Sequence, residues 1–216
     1  MNILAVGAHF DDIELGCGGT MARFRKEGHS TYGIILTDSV VDDDELQIKR
    51  SYETAIEENR KAAKKIGIEM LSIEKPVIQG FLNYSTDIMR MLEKVIYSHK
   101  IDTMFTHWAH DLNTDHAAAG RISITAARHI PRIAMYRSNW YQVDKPFNEN
   151  LFVDITDFAS LKREALHCYA DEVKSRGTEW IESFHHQNAQ TGFKALHRKV
   201  GRELFAESFE IVKWTI

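Results

Sequence analysis

The sequence predicts an α/β fold, a Rossmann-like three-layer α/β/α sandwich around a mostly parallel sheet. Strand-length apolar runs alternate with helical stripes through the first two thirds of the chain. The first run, Asn2 to Ala8, is apolar on successive residues, as in a strand covered on both faces. No repeat, low-complexity stretch or Pro/Gly linker interrupts the 216 residues, so residues 1–216 are expected to form one domain.

After that first strand, Gly16-Cys17-Gly18-Gly19 opens a helix to about Lys26, with Gly28 just past its end. Thr31 to Thr37 reads as a second buried strand. Ile48, Tyr52, Ala55, Ile56, Ala63 and Ile66 recur at helical spacing, and Gly67 closes that helix. A third strand follows near Met70 to Ile73, then a helix marked by Ile88, Leu92, Val95 and Ile96. Asp102 to Thr106 is the fourth strand, and Asp115 or His116 starts a helix that runs to about His129. Arg132 to Tyr136 and Leu151 to Ile155 are further strands. Leu161, Ala165, Tyr169 and Val173 share one helical face, and Phe193, Leu196, Val200 and Leu204 form a second stripe. Phe209 to Trp214 reads as a last strand at the sheet edge.

Composition narrows the function classes. Hydrophobic residues make up 44 % and charged residues 27 %, ordinary for a globular protein, and the net charge of −4 offers no basic field for nucleic acid. The acidic run Asp42-Asp43-Asp44-Glu45 reads as a solvated loop near a site rim. Two cysteines, Cys17 and Cys168, predict no disulfide framework and suit a reducing compartment. With no apolar stretch near the ~20 residues of a membrane span, no membrane crossing is expected, and a cytoplasmic location is.

Two segments concentrate metal-type ligands: Gly7-Ala8-His9-Phe10-Asp11-Asp12-Ile13-Glu14, after the first strand, and Thr106-His107-Trp108-Ala109-His110-Asp111-Leu112-Asn113-Thr114-Asp115-His116, after the fourth. A 3-2-1-4-5 strand order makes these strands neighbours, so both segments meet at the carboxyl edge where such sheets place their sites. Either segment alone has a bland reading: Asp12 as a helix cap, the histidines as hydrogen-bonded structural residues. Imidazole and carboxylate without thiolate, in a site open to water, suit catalytic zinc. Cys17, between glycines at a helix start, reads as a close-packing residue.

Ala8-His9-Phe10-Asp11-Asp12, followed by Gly16 and Gly18-Gly19-Thr20, resembles the signature of the LmbE/PIG-L family of zinc-dependent N-deacetylases. Asn113-Thr114-Asp115-His116 is similar to the family's second motif, and Ala206-Glu207-Ser208-Phe209 to its C-terminal pattern. The resemblance spans essentially the whole chain and implies an LmbE-like fold and removal of an N-acetyl or other short N-acyl group from an amino sugar or sugar conjugate. It implies His9, Asp12 and His116 as ligands of one zinc ion per chain, replaceable by other divalent metals, and Asp11 as general base. Assembly as a homotrimer or hexamer is also implied.

The chain departs from the family pattern at several points. Asn113 stands where better-known members have a histidine; its amide can donate to an oxyanion but cannot shuttle a proton. Asp11 then does both proton transfers, or a nearby histidine substitutes, with His110 the best local candidate and His107 behind it. Asp115 is expected to orient a neighbour. Phe10 replaces the usual proline, and Ala55 occupies the place of the family's arginine, for which Arg50 or Arg60 could substitute. Trp108 and Trp140 are candidates for stacking on a sugar ring, and core packing is at least as good a reading for Trp140. His185, His186 and Trp180 fall in a weakly patterned segment that could overhang the site. Two other readings compete. A nucleotide-binding Rossmann protein is disfavoured because His9, Asp11 and Asp12 crowd the turn where a pyrophosphate would sit. A metal- or sugar-binding module without catalysis is disfavoured by the presence of Asp11.

Overall fold

The computed structural model describes residues 1–44, 48–141, 143–196 and 201–215. Five parallel strands build most of the main sheet: β1 (Asn2–Gly7), β2 (Ser30–Ile35), β5 (Glu69–Leu71), β6 (Thr103–His107) and β7 (Arg132–Tyr136). The sheet order is β5-β2-β1-β6-β7-β9-β8, so the expected 3-2-1-4-5 succession is realised and then extended. The extension is antiparallel: β9 (Ala206–Trp214) pairs with β7, and β8 (Leu151–Asp154) pairs with β9. A small hairpin, β3 (Val41–Asp43) with β4 (Ile48–Arg50), stands apart.

Helices α1 (Asp12–Lys26), α2 (Tyr52–Ile66) and α5 (Ala159–Leu166) contribute to one apolar layer, and α3 (Thr86–Ser98) and α4 (Thr114–Ala126) to the other. β1 shows why both layers exist. Ile3 and Ala5 enter the core with Ile13, Met21 and Ala62, while Leu4 and Val6 enter the opposite core with Leu92 and Ile122. All four are fully buried, the two-faced burial that an unbroken apolar run encodes.

Several expectations are corrected. Ile48 belongs to the hairpin, because Ser51 accepts from Thr54 N (3.2 Å) and starts α2 at Tyr52. The acidic run is split: Asp42 and Asp43 are in the hairpin, and Glu45 lies outside the described residues. The Leu161–Val173 face is broken between α5 and α6 (Ala170–Arg176), although Ala165 and Tyr169 are still buried. The stripe at 193–204 does not form one helix face. Helix α7 (Thr178–Ala195) buries Trp180, Ile181 and Phe184, while Phe193 is 62 % exposed. Gly192 explains this: a Cβ there would come within 2.2 Å of the Leu204 carbonyl, so that side faces the chain and Phe193, about 100° further round, turns outward. Leu204 is buried in the segment leading to β9, and Val200 lies outside the described residues. The last strand is interior, with β8 as the edge.

The C-terminal pattern has a structural role. Helix α1 is kinked at Cys17 (φ −146°, ψ 16°). Glu207 on β9 accepts from Gly19 N (3.0 Å) and Thr20 N (2.7 Å) just beyond the kink. Lys162 Nζ donates to Glu207 Oε1 (2.7 Å) and to the Leu15 carbonyl (2.8 Å) on the other side. This buried clamp holds the helix that presents Asp12. No helix among the described residues is long and apolar enough to cross a membrane.

Candidate metal centre

The parallel register of β1 and β6, with Val6 opposite Thr106, brings their carboxyl ends side by side. The chain after β1 bends sharply. Asp11 adopts φ 101°, ψ −28°, a conformation that a non-glycine residue holds at a cost of about 1–3 kcal/mol. The bend places His9 and Asp12 on one side, closed by a bond from His9 N to Asp12 Oδ2 (2.7 Å). From β6 the chain reaches α4, whose first turn carries His116. Asn113 caps that turn, its Oδ1 accepting from Asp115 N (2.9 Å) and His116 N (3.3 Å).

Three side chains converge, the two imidazoles approaching different oxygens of the Asp12 carboxylate. His9 Nδ1 lies 3.2 Å from His116 Nε2, His116 Nε2 lies 3.3 Å from Asp12 Oδ1, and His9 Nδ1 lies 3.4 Å from Asp12 Oδ2. Separations of about 3.3 Å are the edges of a tetrahedron around an ion bound at about 2.0–2.1 Å. Each imidazole turns its other nitrogen to a carboxylate. Asp115 Oδ2 lies 2.9 Å from His9 Nε2, and Asp111 Oδ2 lies 3.4 Å from His116 Nδ1. Such partners fix the tautomer that leaves the facing nitrogen's lone pair for a metal. Asp12, His9 and His116 therefore form a group able to hold a metal ion.

The electrostatics favour a cation. Burial opposes ionisation of Asp12, but the His116 and His107 imidazoles outweigh it and hold the carboxyl well below the usual range. Burial opposes charge on His116, but Asp12 and Asp111 lift it to about 10. His9 is raised in the same way, burial being outweighed by hydrogen bonds to Asp115 and Asp12. His107 goes the other way, to about 4, because its burial prevails over Asp12. Asp11 is raised well above the carboxylate range by burial and by the negative charges of Glu172 and Asp12.

His9, Asp11, Asp12 and His116 line a cavity of about 120 Å³ that also takes in Asn113, Arg50, Arg176 and Trp140. The Asp11 carboxylate borders it and has no hydrogen-bond partner among the described residues. His110 is not brought there. It is exposed, its Nε2 lies 2.6 Å from Lys145 Nζ, and its ring packs edge-on to Trp108 at 5.7 Å. The turn after β6 buries Trp108 and so points His110 away from the metal ligands. His107 does reach the site, with Nε2 3.0 Å from Asp12 Oδ2 and its ring stacked on His116 at 4.1 Å.

Of the two tryptophans offered for stacking, only one reaches the cavity. Trp108 is fully buried, whereas Trp140, half exposed, borders the cavity. Trp180 joins it there, while His185 packs on Phe205. Arg60 pairs with Glu57 at the surface, and the buried Arg50 faces the cavity, bonded to Glu172 (2.9 Å). The sequence assigned no role to Asp111, although it lies in the ligand-dense segment, and gave no sign of Ser138 and Asn139. Ser138 Oγ donates to Asp12 Oδ1 (2.8 Å), and Asn139 Nδ2 donates to both Asp111 oxygens (2.9 Å each). Only the position of Ser138 and Asn139 just after a strand of the same sheet could have flagged them.

Comparison with known proteins identifies the family and the fold. Residues 4–127 match the family described as PIG-L: GlcNAc-PI de-N-acetylase. The uncharacterized deacetylase YaiS of Escherichia coli (strain K12) is 31 % identical over 173 residues, 74 % of this chain and 89 % of that protein. Among solved structures, N,N'-diacetylchitobiose deacetylase from Pyrococcus horikoshii superposes with a TM-score of 0.76 at 21 % identity, over 98 % of this chain and 83 % of that one. GalB, the 4-carboxy-2-hydroxymuconate hydratase of Pseudomonas putida KT2440, superposes with a TM-score of 0.81 at 19 % identity, over 100 % and 98 %. One fold thus carries two chemistries, and the structural likeness establishes the fold alone. The matched family segment, which contains His9, Asp12 and His116, shows that the chain belongs to the PIG-L (LmbE-like) family of deacetylases, hydrolases that act on amides.

Proposed function

We propose that this protein is a zinc-dependent hydrolase that cleaves the N-acyl amide of an amino sugar or sugar conjugate. The observation that supports this most is the division of labour at the bend after β1. His9 and Asp12 point to His116, while the carboxylate of Asp11 between them is left free in the same cavity. Two imidazoles and one carboxylate are the ligand set of several catalytic zinc sites. Zinc held there supplies Lewis acidity, acidifying water and drawing charge from a carbonyl oxygen.

The chain's own groups supply the proton transfers. Asp11, as carboxylate, takes a proton from the attacking water. As the carbon–oxygen bond forms and the carbon–nitrogen bond breaks, the same carboxyl returns the proton to the leaving amine. No second proton carrier is assigned, since His110 faces away and Asn113 uses Oδ1 as a cap. Asn113 Nδ2 remains as a donor toward the carbonyl oxygen.

The test is zinc content and amine release from N-acetylglucosamine for the wild type, His116→Ala and Asp11→Asn. The wild type should bind zinc stoichiometrically and release amine. His116→Ala should lose the metal. Asp11→Asn should keep it and lose about 10²–10⁴-fold in kcat. A wild type that takes up no metal at any loading would overturn the mechanism.

A further inference from the structure

The cavity at the metal ligands does not stand alone. On one side Leu15 and Tyr141 are shared with a neighbouring cavity of about 240 Å³, whose lining includes Arg137, Gln187, Asn188 and Ser208. On the other side Phe10 is shared with a mostly apolar cavity of about 500 Å³, lined by Ile35, Ile56, Ile68 and Met70 together with the charged Arg60 and Lys64. That cavity lies against α2, β2 and the short edge strand β5. The amide-cleaving centre sits between a polar compartment and an apolar one.

From this placement we infer that the physiological substrate carries an N-acyl chain longer than acetyl, of medium length. Its hydrocarbon lies in the apolar cavity past Phe10 and its hydroxyl-rich half in the polar cavity. The inference rests on the hydrolase reading above and adds the acyl chemistry to it. An acetyl group leaves the larger compartment unused. At roughly 30 Å³ per small solvent-sized group, about 500 Å³ exceeds the volume of a hexanoyl or octanoyl tail. Apolar lining offers such a tail transfer from water and offers a sugar little, because sugar hydroxyls would lose their hydrogen bonds there. Phe10, buried between His9 and Asp11, is the residue through which the apolar compartment adjoins the reacting centre. In the reaction, water adds its oxygen to the acyl carbon and the nitrogen leaves with the proton, so the products are the free fatty acid and the amino sugar.

The experiment uses zinc-loaded Asp11→Asn, which binds without turnover, titrated calorimetrically with N-acetyl-, N-butanoyl-, N-hexanoyl- and N-octanoylglucosamine. Ile56 is 41 % exposed on α2, so Ile56→Glu places a charge in the apolar cavity without disturbing the core. Affinity should rise about two- to fourfold per methylene in Asp11→Asn. Adding Ile56→Glu should flatten that rise and leave acetyl binding unchanged. Wild-type hydrolysis of the same series should favour hexanoyl over acetyl by at least about tenfold in kcat/KM. Affinity that does not depend on chain length, or a rise that survives Ile56→Glu, overturns the inference. If length-dependent binding holds but wild type releases no amine from any analogue, the hydrolase reading falls and the cavity assignment stands.

Discussion

Removing the Glu207 side chain tests the clamp that holds the kinked helix behind the metal ligands. Glu207 is 1 % exposed, accepts two backbone N–H groups of α1 and pairs with the equally hidden Lys162. In Glu207→Ala the Lys162 ammonium keeps one bond, to the Leu15 carbonyl, and loses its counter-charge. Breaking a buried pair from one side costs about 3–5 kcal/mol, and each orphaned N–H adds about 1–3 kcal/mol where water cannot enter. A net loss of about 5 kcal/mol or more is expected, a large share of a typical domain's stability. Lys162→Met should cost only about 2 kcal/mol, because Glu207 keeps both backbone N–H bonds as compensation. The double variant should be more stable than Glu207→Ala alone, since it no longer buries an unpaired ammonium. Urea unfolding followed by circular dichroism gives all three values, with equal slopes required for comparison. If Lys162→Met destabilises as much as Glu207→Ala, the argument from unpaired charge and orphaned N–H groups is refuted.

Three further outcomes are expected. Asp115→Asn should weaken zinc binding about 10–100-fold in competition with a chelator, because the ionised acceptor that orients His9 is lost; unchanged affinity would show that His9 orients itself. Asp11→Gly should raise the unfolding free energy by about 1 kcal/mol while abolishing turnover, since glycine adopts φ 101° without strain; a destabilised variant would mean that the Asp11 side chain stabilises the bend. For Asp102, burial is outweighed by bonds from Thr103, Arg132 and Asn2, and its pKa is lowered. A depressed folded-state pKa gives stability that is present above the unfolded value of about 3.9 and is lost as pH falls through the lower folded value. Wild type should thus lose more stability than Asp102→Asn between about pH 4 and pH 2, and parallel pH curves would remove Asp102 from the acid response.

Much of the site was legible because it rests on short-range chemistry. The unbroken apolar run Ile3–Val6, the ligand-dense turn at His9–Asp12 and the Asp115-His116 pair at a helix start are local patterns, and alternation of strands and helices makes the two turns neighbours. What remained hidden depends on groups far apart in the chain. Whether His110 faces the site is decided by Trp108, which takes the buried position at the turn and leaves His110 to solvent beside Lys145. That Asp111 and Asn139 brace His116 requires the turn after β7 to pack against the turn after β6. The placement of β9 between β7 and β8 is equally non-local, because a strand's apolar pattern states which faces are buried and not which neighbours it pairs with. The sequence by itself determined the succession of parallel strands and their crossover helices, apart from the β3–β4 hairpin and the C-terminal helices, and the residues that can bind metal. Tertiary structure alone decided which carboxylate serves which imidazole, which aromatic ring reaches the cavity, and that the centre lies between a polar and an apolar compartment. Such juxtapositions are set by how distant loops pack, and no periodicity within one segment encodes them.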